Sequence, residues 1–440
     1  MKCEEIRDEM IAYLKGELDD DRKREIDEHL CRCQGCSREL ETAQRVLQQT
    51  QVASEASVVK LTNDIIIKGV ESGASDIHLD PAQGGMEIRY RIDGVLQSDR
   101  TLSEKEQDAV TARIRMIADL PLTVIGIPQD GRISIKREGK EYDLRVSIVP
   151  SVFGLKIVMR ILEQTVTMLG LEKLGFLPEQ METVKNLVHQ PNGMIVVTGP
   201  TGSGKTTTLY SMLLEIRDPG ISIMTVEDPV EYLLKGVQQT QVNVKTGLTF
   251  AAALRSFLRQ DPDVLMSGEI RDLESGQIAL AAAVTGHLVL TAIHPTDAAA
   301  GAVRMVEIGM EPYLVGQSLI AAIAQRLVRK VCPDCREEYT PSEESLDFLG
   351  LKNQVGKAKF YRGAGCETCR GAGFRGRTAI FEVMQIDREL GRMISDKKDA
   401  DAILARAVKK GFVTMAEVAR QKVLEGIITA EEAHRVLERR

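Results

Sequence analysis

The sequence predicts an α/β protein built from several domains, and three observations support this. The chain has 440 residues, which is more than one ordinary hydrophobic core uses, so three or four domains are expected. The apolar run 194–198 precedes a glycine-rich segment and then a helix-forming segment, the order of a strand, a loop and a helix. All eight cysteines fall in two clusters, one near the N-terminus and one in the C-terminal third. We therefore expect an α/β core with a small cysteine-rich module at each end.

The first cysteine cluster predicts a small helical zinc module. Cys3 is followed by His29, Cys33 and Cys36, and we favour these four residues as the ligands of one Zn²⁺ ion. His29 and Cys33 are four residues apart and share a helix face, while Cys33 and Cys36 form a CxxC pair. Cys31 points elsewhere on the same helix and is spare. The segment resembles the zinc-binding module of the anti-sigma factors, and the alternative is a helical hairpin without metal.

The segment after this module predicts an α+β domain that ends near Gln164. The stretch Gln48 to Ser57 is typical of a linker. Asp93-Gly94 is a hairpin turn signal between two alternating segments. The expected helices are Val58 to Val70 and Glu104 to Ala118, and the expected strands are Ser75 to Leu79, Met86 to Ile92, Gly131 to Lys136, Tyr142 to Val149 and Lys156 to Ile161.

The glycine-rich segment is a complete GxxxxGKT phosphate loop. Its glycines let successive backbone N–H groups face one anion, and the following helix directs its positive end at the same charge. The lysine reaches the β and γ phosphates, and the first threonine hydroxyl can bind Mg²⁺. A turn without chemical function is the alternative, but the intact strand, loop and helix argue against it. We expect ATP to be bound by Gly199, Pro200, Thr201, Gly202, Ser203, Gly204, Lys205, Thr206 and Thr207.

Polar groups follow three apolar runs downstream of this loop. Three carboxylates, among them Glu231, come just after the β-branched run 224–226. The apolar run from Val264 ends in Gly268-Glu269 and has the form of a Walker B strand, which delivers a carboxylate beside the metal and the γ-phosphate. His287 and His294 stand seven residues apart on either side of a third predicted strand.

The second cysteine cluster predicts a structural zinc site. Cys332 and Cys335 form one CxxC pair, and Cys366 and Cys369 form another about thirty residues later. Four thiolates leave no open position for water, so the metal would be structural. Buried cysteines without metal are the alternative. The nearby segment 371–376 satisfies GxGxxG, but it follows a cysteine pair rather than a strand, so we expect no dinucleotide there. A helical tail is expected from Arg388 to Arg440.

Charge and hydropathy exclude several classes of protein. The formal net charge of −7 argues against a dedicated nucleic-acid binder. The most apolar stretch, Ile278 to Ile293, is interrupted by Thr285, Gly286 and His287 and falls short of a transmembrane helix. No signal peptide is recognised at the N-terminus, so a cytoplasmic location is expected. In that reducing compartment the cysteines would be metal ligands or free thiols.

From Val58 onward the motifs resemble the secretion and type IV pilus assembly ATPases, which include the type II secretion ATPase and the pilus extension motor. The resemblance implies a hexamer of RecA-like domains, each joined to a PAS-like N-terminal domain that packs on the neighbouring subunit. The domains would be 1–50, 51–164, 165–330 and 331–440. The matching segments are Gly73 to His78, Arg89 to Gly94, Pro128 to Arg132, the phosphate loop, the carboxylate and histidine segments and the four C-terminal cysteines.

The resemblance also implies roles for individual residues. Lys205 and Thr206 would hold phosphates and Mg²⁺, Glu231 would orient or activate the attacking water, and Glu269 would lie beside the metal. His287 and His294 match residues that sense the γ-phosphate, with ordinary hydrogen-bonded histidines as the alternative. Arg132 and Arg145 match arginines that reach the nucleotide from the N-terminal domain. Further arginines match the family without a fixed role, and structural salt bridges are equally expected for them: Arg255, Arg259, Arg271, Arg304 and Arg377.

Three departures from the family pattern affect the functional prediction. Leu155 stands where relatives commonly place Glu, Ser267 stands where they prefer an apolar residue, and the zinc module replaces the usual membrane-docking domain. We predict a hexameric motor that acts through an inner-membrane platform protein, with a possible regulatory partner for the zinc module. The four C-terminal cysteines favour extension or secretion over retraction. The alternatives are a motor for DNA uptake or conjugation and a sigma-factor-binding regulator.

Overall fold

The computed structural model describes residues 3–53, 55–123, 126–163 and 170–438. The chain divides into two compact units, residues 1–166 and 167–440, which are described separately. The expected domain end near Gln164 lies outside the described residues. The four-domain division of the chain stays a prediction.

Four helices open the first unit, and they are α1 (Cys3–Lys15), α2 (Asp20–Arg32), α3 (Gln34–Ala53) and α4 (Ala56–Glu71). Asp19 caps α2 by accepting a hydrogen bond from the Arg22 N–H at 2.8 Å. The core of α1 to α3 is small and contains Ile6, Met10 and Ile26. The expected linker 48–57 is instead helical up to Ala53, because its glutamine, valine and alanine residues can continue a helix.

A six-stranded sheet in the order β3-β2-β1-β6-β5-β4 completes the first unit, and all its neighbouring strands are antiparallel. Helix α5 (Glu104–Ile117) begins with a capping box between Ser103 and Glu106. The helices and strands expected between Val58 and Ile161 are confirmed. The strands are β1 (Asp76–Ala82), β2 (Gly85–Ile92), β3 (Val95–Leu102), β4 (Gln129–Arg137), β5 (Lys140–Ser151) and β6 (Gly154–Glu163).

The second unit is built on a seven-stranded sheet in the order β15-β12-β7-β11-β10-β8-β9. The six strands from β12 to β9 are parallel to their neighbours, and β15 pairs antiparallel with β12. A separate two-stranded sheet consists of β13 (Arg336–Tyr339) and β14 (Phe360–Gly363). The strands of the large sheet are β7 (Gly193–Thr198), β8 (Ile223–Glu227), β9 (Gln238–Gln241), β10 (Val264–Ser267), β11 (Leu288–Ile293), β12 (Leu319–Val331) and β15 (Phe374–Gln385).

Hydrophobic side chains bury both faces of this sheet, which makes the unit a mixed α/β fold as predicted. The apolar stretch 278–293 is divided between a helix and β11, and no helix among the described residues combines the length and hydropathy needed to cross a membrane. The expected tail is helical as far as Glu438. The helices are α6 (Pro178–Val188), α7 (Lys205–Ile216), α8 (Phe250–Phe257), α9 (Leu273–Val284), α10 (Ala298–Glu307), α11 (Pro312–Ser318), α12 (Glu343–Phe348), α13 (Arg388–Ser395), α14 (Ala400–Lys409), α15 (Met415–Leu424) and α16 (Ala430–Glu438).

Candidate active site and metal centres

The phosphate loop lies where the buried strand β7 ends and α7 begins. Gly199 and Gly204 have φ angles of 146° and 90°, a region that favours glycine. A Cβ atom at Gly199 would lie 2.6 Å from the Gln325 carbonyl oxygen and 2.7 Å from Ser203 Oγ, so no larger residue fits there. Ser203 Oγ is buried and has no hydrogen-bond partner. This tight glycine turn at a helix N-terminus has the form needed to surround a phosphate group.

Lys205 is the first residue of α7, and its side chain folds back over the loop. Its Nζ donates to the carbonyl oxygens of Gly199, at 2.7 Å, and Pro200, at 3.1 Å. Burial lowers the pKa of Lys205, and the nearby charge of Glu269 partly opposes that shift. The ammonium group is therefore held at the mouth of the loop and close to the Walker B carboxylate, the position expected of a phosphate clamp.

Gln325 on β12 holds the phosphate loop from the neighbouring strand. Its Nε2 donates to the Ser203 carbonyl oxygen at 2.6 Å, and only 1% of the residue is exposed. The sequence analysis did not single out Gln325, because it lies more than a hundred residues from the loop and belongs to no recognised motif. Only the pairing of β12 with β7 brings it there.

Glu269 follows β10, and its carboxylate contacts the side chains of His294 and Arg271. His294 Nε2 lies 2.9 Å from its carboxylate, and Arg271 forms an ion pair with it. Burial alone would raise the pKa of Glu269, but the hydrogen bonds from Arg271 and His294 outweigh this effect and lower it. The unusual Ser267 fits here, because its hydroxyl donates to the Glu269 carbonyl oxygen at 2.9 Å. The site therefore keeps Glu269 ionised.

A buried network positions the segment that carries Glu231. Glu227, with 2% of its surface exposed, accepts hydrogen bonds from Tyr210, from Thr225 at 2.6 Å and from Gln239 at 3.1 Å. The Glu231 N–H in turn donates to the Tyr210 hydroxyl at 3.3 Å. Tyr210 thus connects α7 to the carboxylate segment. The sequence analysis missed this residue because its partners come from other elements.

Beside the loop lies a cavity of about 80 Å³ that suits a hydrated Mg²⁺ ion. Mg²⁺ prefers hard oxygen ligands and retains several of its waters, and this lining offers one hydroxyl and several carboxylates. Glu227 already accepts three buried hydrogen bonds, so a metal would draw its ligands from elsewhere in the lining. The polar residues of the lining are Thr206, Glu227, Asp228, Glu231 and Glu269.

The two histidines lie at opposite ends of β11. His294 follows the strand and reaches Glu269, whereas His287 precedes it, and its carbonyl accepts from the Gly193 N–H at the start of β7. At about 3.3 Å per strand residue, the two lie roughly 20 Å apart. His287 Nδ1 lies 3.0 Å from the Ala282 carbonyl oxygen. The structure therefore brings His294 to Glu269 beside the phosphate loop and leaves His287 at the opposite end of the strand.

Arg132 and Arg145 belong to the first unit, where they form part of a row of charged residues across its sheet. Arg132 on β4 pairs with Arg145 on β5, and Arg145 pairs with Arg160 on β6. Directly paired residues of antiparallel strands share a face. The row continues to Asp76, which forms ion pairs with Arg160 at 3.1 Å and with Arg91 at 3.6 Å. Arg160 is an arginine of this surface that the sequence analysis missed, although it could have been found from strand register.

The two cysteine clusters each gather four ligand atoms within 4.8 Å of one another. Cys3 Sγ lies 3.6 Å from His29 Nε2 and 3.9 Å from Cys33 Sγ. In the second cluster, sulfur pairs lie 3.6 to 3.9 Å apart. Zinc–sulfur bonds of about 2.3 Å in a tetrahedron place neighbouring sulfurs about 3.8 Å apart. Both sets therefore fit Zn²⁺: Cys3, His29, Cys33 and Cys36, and Cys332, Cys335, Cys366 and Cys369.

Comparison with known proteins identifies the family. A family model described as type II/IV secretion system protein matches residues 51–435. The chain belongs to this family. A second model, described as a putative zinc-finger, matches residues 3–37, which contain the first metal cluster.

Curated relatives in this family are named as ATPases. The chain is 43% identical to the type IV pilus assembly ATPase PilB of Thermus thermophilus over 86% of its own length, but it spans only 43% of that protein. It is 41% identical to the PilB of Myxococcus xanthus and 40% identical to the type II secretion system ATPase E of Vibrio cholerae. It spans 70% and 76% of those two relatives. These names and the family match make the chain an ATPase of this family.

Solved structures support the same fold. The pilus retraction motor PilT with bound ADP is 27% identical, with a TM-score of 0.57, and the match covers 84% of this chain and 95% of that one. The Legionella pneumophila ATPase DotB is 22% identical with a TM-score of 0.65, and the match covers 86% of this chain and 95% of that one. At that identity DotB supports the fold alone.

We expect purified full-length protein to contain close to two Zn²⁺ ions per chain, because each cluster has four ligands and the first module has little apolar core to replace a metal. Deletion of residues 1–50 should remove one ion and leave the ATPase unit folded. Elemental analysis of both proteins measures this. A Cys31→Ser variant is the matched control and should keep both ions. Iron, or a single zinc in the full-length chain, would show the N-terminal assignment to be wrong.

Proposed function

We propose that this protein is a cytoplasmic hexameric motor that hydrolyses ATP to assemble type IV pilus or type II secretion pseudopilus subunits through an inner-membrane platform protein. The observation that carries the proposal is identity of 40 to 43% with pilus assembly and secretion ATPases over 86 to 89% of the chain. On this proposal the second unit is RecA-like and the α+β part of the first is PAS-like. The motor would reach the inner membrane only through its partners.

We propose that the phosphate-loop residues carry the catalytic roles. Lys205 would bind the β and γ phosphates, and Thr206 and Glu269 would hold a Mg²⁺ ion, which would supply positive charge to offset that of the phosphoryl group. Glu231, which is positioned through Tyr210, orients the attacking water. His294 reports the γ-phosphate through its contact with Glu269. His287 has no role at the site of its own subunit in this scheme.

We propose that the arginine row of the first unit completes the site of a neighbouring subunit. Arg132 and Arg145 lie side by side on one face of the sheet, and Arg160 extends the row. Several guanidinium groups on one face can stabilise the negative charge of a transferring phosphoryl group. Asp76 anchors one end of the row by its ion pair with Arg160. Hydrolysis would then depend on assembly.

Stimulation of hydrolysis distinguishes this proposal from a DNA motor. The purified cytoplasmic domain of the platform protein from the same organism should raise the steady-state ATPase rate severalfold, because contact with a partner can favour closure of the catalytic site. Single-stranded DNA should leave the rate unchanged, in keeping with the net charge of −7. Lys205→Ala serves as the inactive control. Stimulation by DNA and not by the platform domain would instead support the DNA-uptake or conjugation motor. A sigma factor that binds the zinc module without changing hydrolysis would support a separate regulatory role.

A further inference from the structure

A cavity of about 460 Å³ lies within the first unit, between helix α3 of the zinc module and helix α5 of the α+β domain. The β5–β6 hairpin closes one side of it through Gly154 and Leu155. Arg45 lies before residue 51, where the match to the family model begins, so part of this wall lies outside that match. The cavity therefore lies where the extra module meets the ATPase domain.

Polar groups of α5 face this cavity from buried positions. The Thr111 hydroxyl is buried and has no hydrogen-bond partner, whereas buried polar groups normally have one. The neighbouring Gln107 is satisfied, because its Nε2 donates to the Phe153 carbonyl oxygen at 3.0 Å. The unsatisfied hydroxyl of Thr111 indicates room for a further polar partner in the cavity.

Cations outnumber acidic residues among the described residues of the cavity lining. Arg45, Lys105 and Arg115 line it, and Asp108 is the acidic residue of the lining. Among the side chains that the structure describes, Arg45, Lys105 and Asp108 have no ion-pair partner, because no carboxylate or cation lies within 4.0 Å of them. Arg115 is only 4% exposed, and it donates a hydrogen bond to the Pro121 carbonyl oxygen. The excess of cations over Asp108 would be offset by a negatively charged ligand.

The other described residues of the lining are apolar or glycine, with Val52 on α3, two alanines on α5 and Leu155 on the hairpin. A cavity of several hundred Å³ with an apolar wall and a few convergent polar groups is the usual form of a small-molecule site. A purely inorganic anion would not use the apolar wall. The lining instead matches a molecule with a charged head and an apolar body.

We propose that this cavity binds a small organic anion, with a carboxylate or phosphate head and an apolar body. The head group accepts a hydrogen bond from the Thr111 hydroxyl and lies near the cations Arg45 and Lys105. The apolar body packs against Val52 and Leu155. Such a ligand would contact α3 and α5 together and would fix the zinc module against the ATPase domain. The site is separate from the phosphate loop and does not depend on the proposed function of the motor.

The test uses 1-naphthyl phosphate and 1-naphthoate as fluorescent probes on the full-length protein, with ADP and Mg²⁺ saturating the phosphate loop. We expect one probe molecule to bind per chain and uncharged 1-naphthol to bind at least about tenfold more weakly, since it lacks the charged head. The head group that binds more tightly gives the class of the natural ligand. Absence of binding by both anions, or their displacement by ADP, would overturn the proposal.

Substitutions distinguish this cavity from other surfaces. Thr111→Val is nearly isosteric and removes the hydroxyl, so it should weaken probe binding about tenfold, while Thr111→Ser should keep the affinity. Leu155→Glu should weaken binding further by adding negative charge. Lys357→Glu, at an exposed lysine of the second unit, is the control and should bind normally. Thermal unfolding and zinc content verify that each variant is folded. Wild-type affinity in both Thr111→Val and Leu155→Glu would overturn the assignment.

Discussion

Lys205→Ala is expected to reduce the ATPase rate more than about a hundredfold, because the substitution removes the positive charge that clamps the phosphates at the point where charge develops. The structure gives the reason for so large an effect. Lys205 Nζ is held on the Gly199 and Pro200 carbonyl oxygens, so the charge is already oriented when the nucleotide arrives. Nucleotide affinity should fall as well. Steady-state hydrolysis and equilibrium binding of a fluorescent ATP analogue measure the two effects.

Glu269→Gln separates catalysis from binding at the same site. The amide keeps the size of the side chain but loses the charge that holds Arg271 and His294, so the variant should retain nucleotide and turn over about a hundredfold or more slowly. Lys330→Ala, at an exposed lysine of the same unit, is the matched control and should keep normal hydrolysis. Near-normal turnover in Lys205→Ala or in Glu269→Gln would show that the site has been misassigned.

Mixing two inactive variants is expected to restore part of the activity if sites are shared between subunits. Arg145→Ala should bind ATP but not hydrolyse it, and Glu269→Gln should fail at a different part of the site. Mixed hexamers then contain some sites in which an intact Arg145 faces an intact Glu269. The recovered rate should rise with protein concentration as hexamers form, which ATPase assays and analytical ultracentrifugation can follow together.

Two controls make the mixing experiment decisive. Arg145→Ala mixed with Lys205→Ala should recover activity, because one chain supplies the complete phosphate-loop site and the other supplies the arginine. Glu269→Gln mixed with Lys205→Ala should not recover, because neither chain has a complete phosphate-loop site. Subunit exchange is verified by fluorescence transfer between labelled chains. If exchange occurs without recovery, the arginines act within their own subunit or not at all. Full activity of a dilute monomer would exclude shared sites altogether.

The sequence revealed those parts of the site that are local in the chain. The phosphate loop and the paired cysteines are short segments whose geometry follows from their own spacing, and the structure places each set together. Tyr210 and Gln325 were missed because their contacts depend on which strands and helices become neighbours. Such pairings depend on the whole core and not on a local pattern.

The positions of the two histidines also could not be predicted from the sequence motif alone. His287 and His294 look equivalent in the sequence motif. The strand between them separates them by its full length, so they lie at opposite ends of that strand. The stretch 48–57 lacks apolar periodicity and looked like a linker, yet the helix continues to Ala53. The residues of this stretch have only weak conformational preferences, so the preceding helix continues through them to Ala53.

The cysteine-rich segment 332–373, called the excursion here, has a position in the fold that affects how this chain can vary. Val331 and Phe374 are paired, and the Cys332 N–H donates to the Gly373 carbonyl oxygen at 3.0 Å, so the excursion leaves the large sheet and returns to it at one point. The entropy of closing such a loop changes only slowly with its length. Changes in the length of exposed turns between these two residues should therefore leave the strand that carries Gln325 in register, whereas Leu346, Leu349 and Phe360 pack in the core and cannot vary freely. We therefore expect length variation in this segment to be confined to its exposed turns, away from the core residues and the four cysteines.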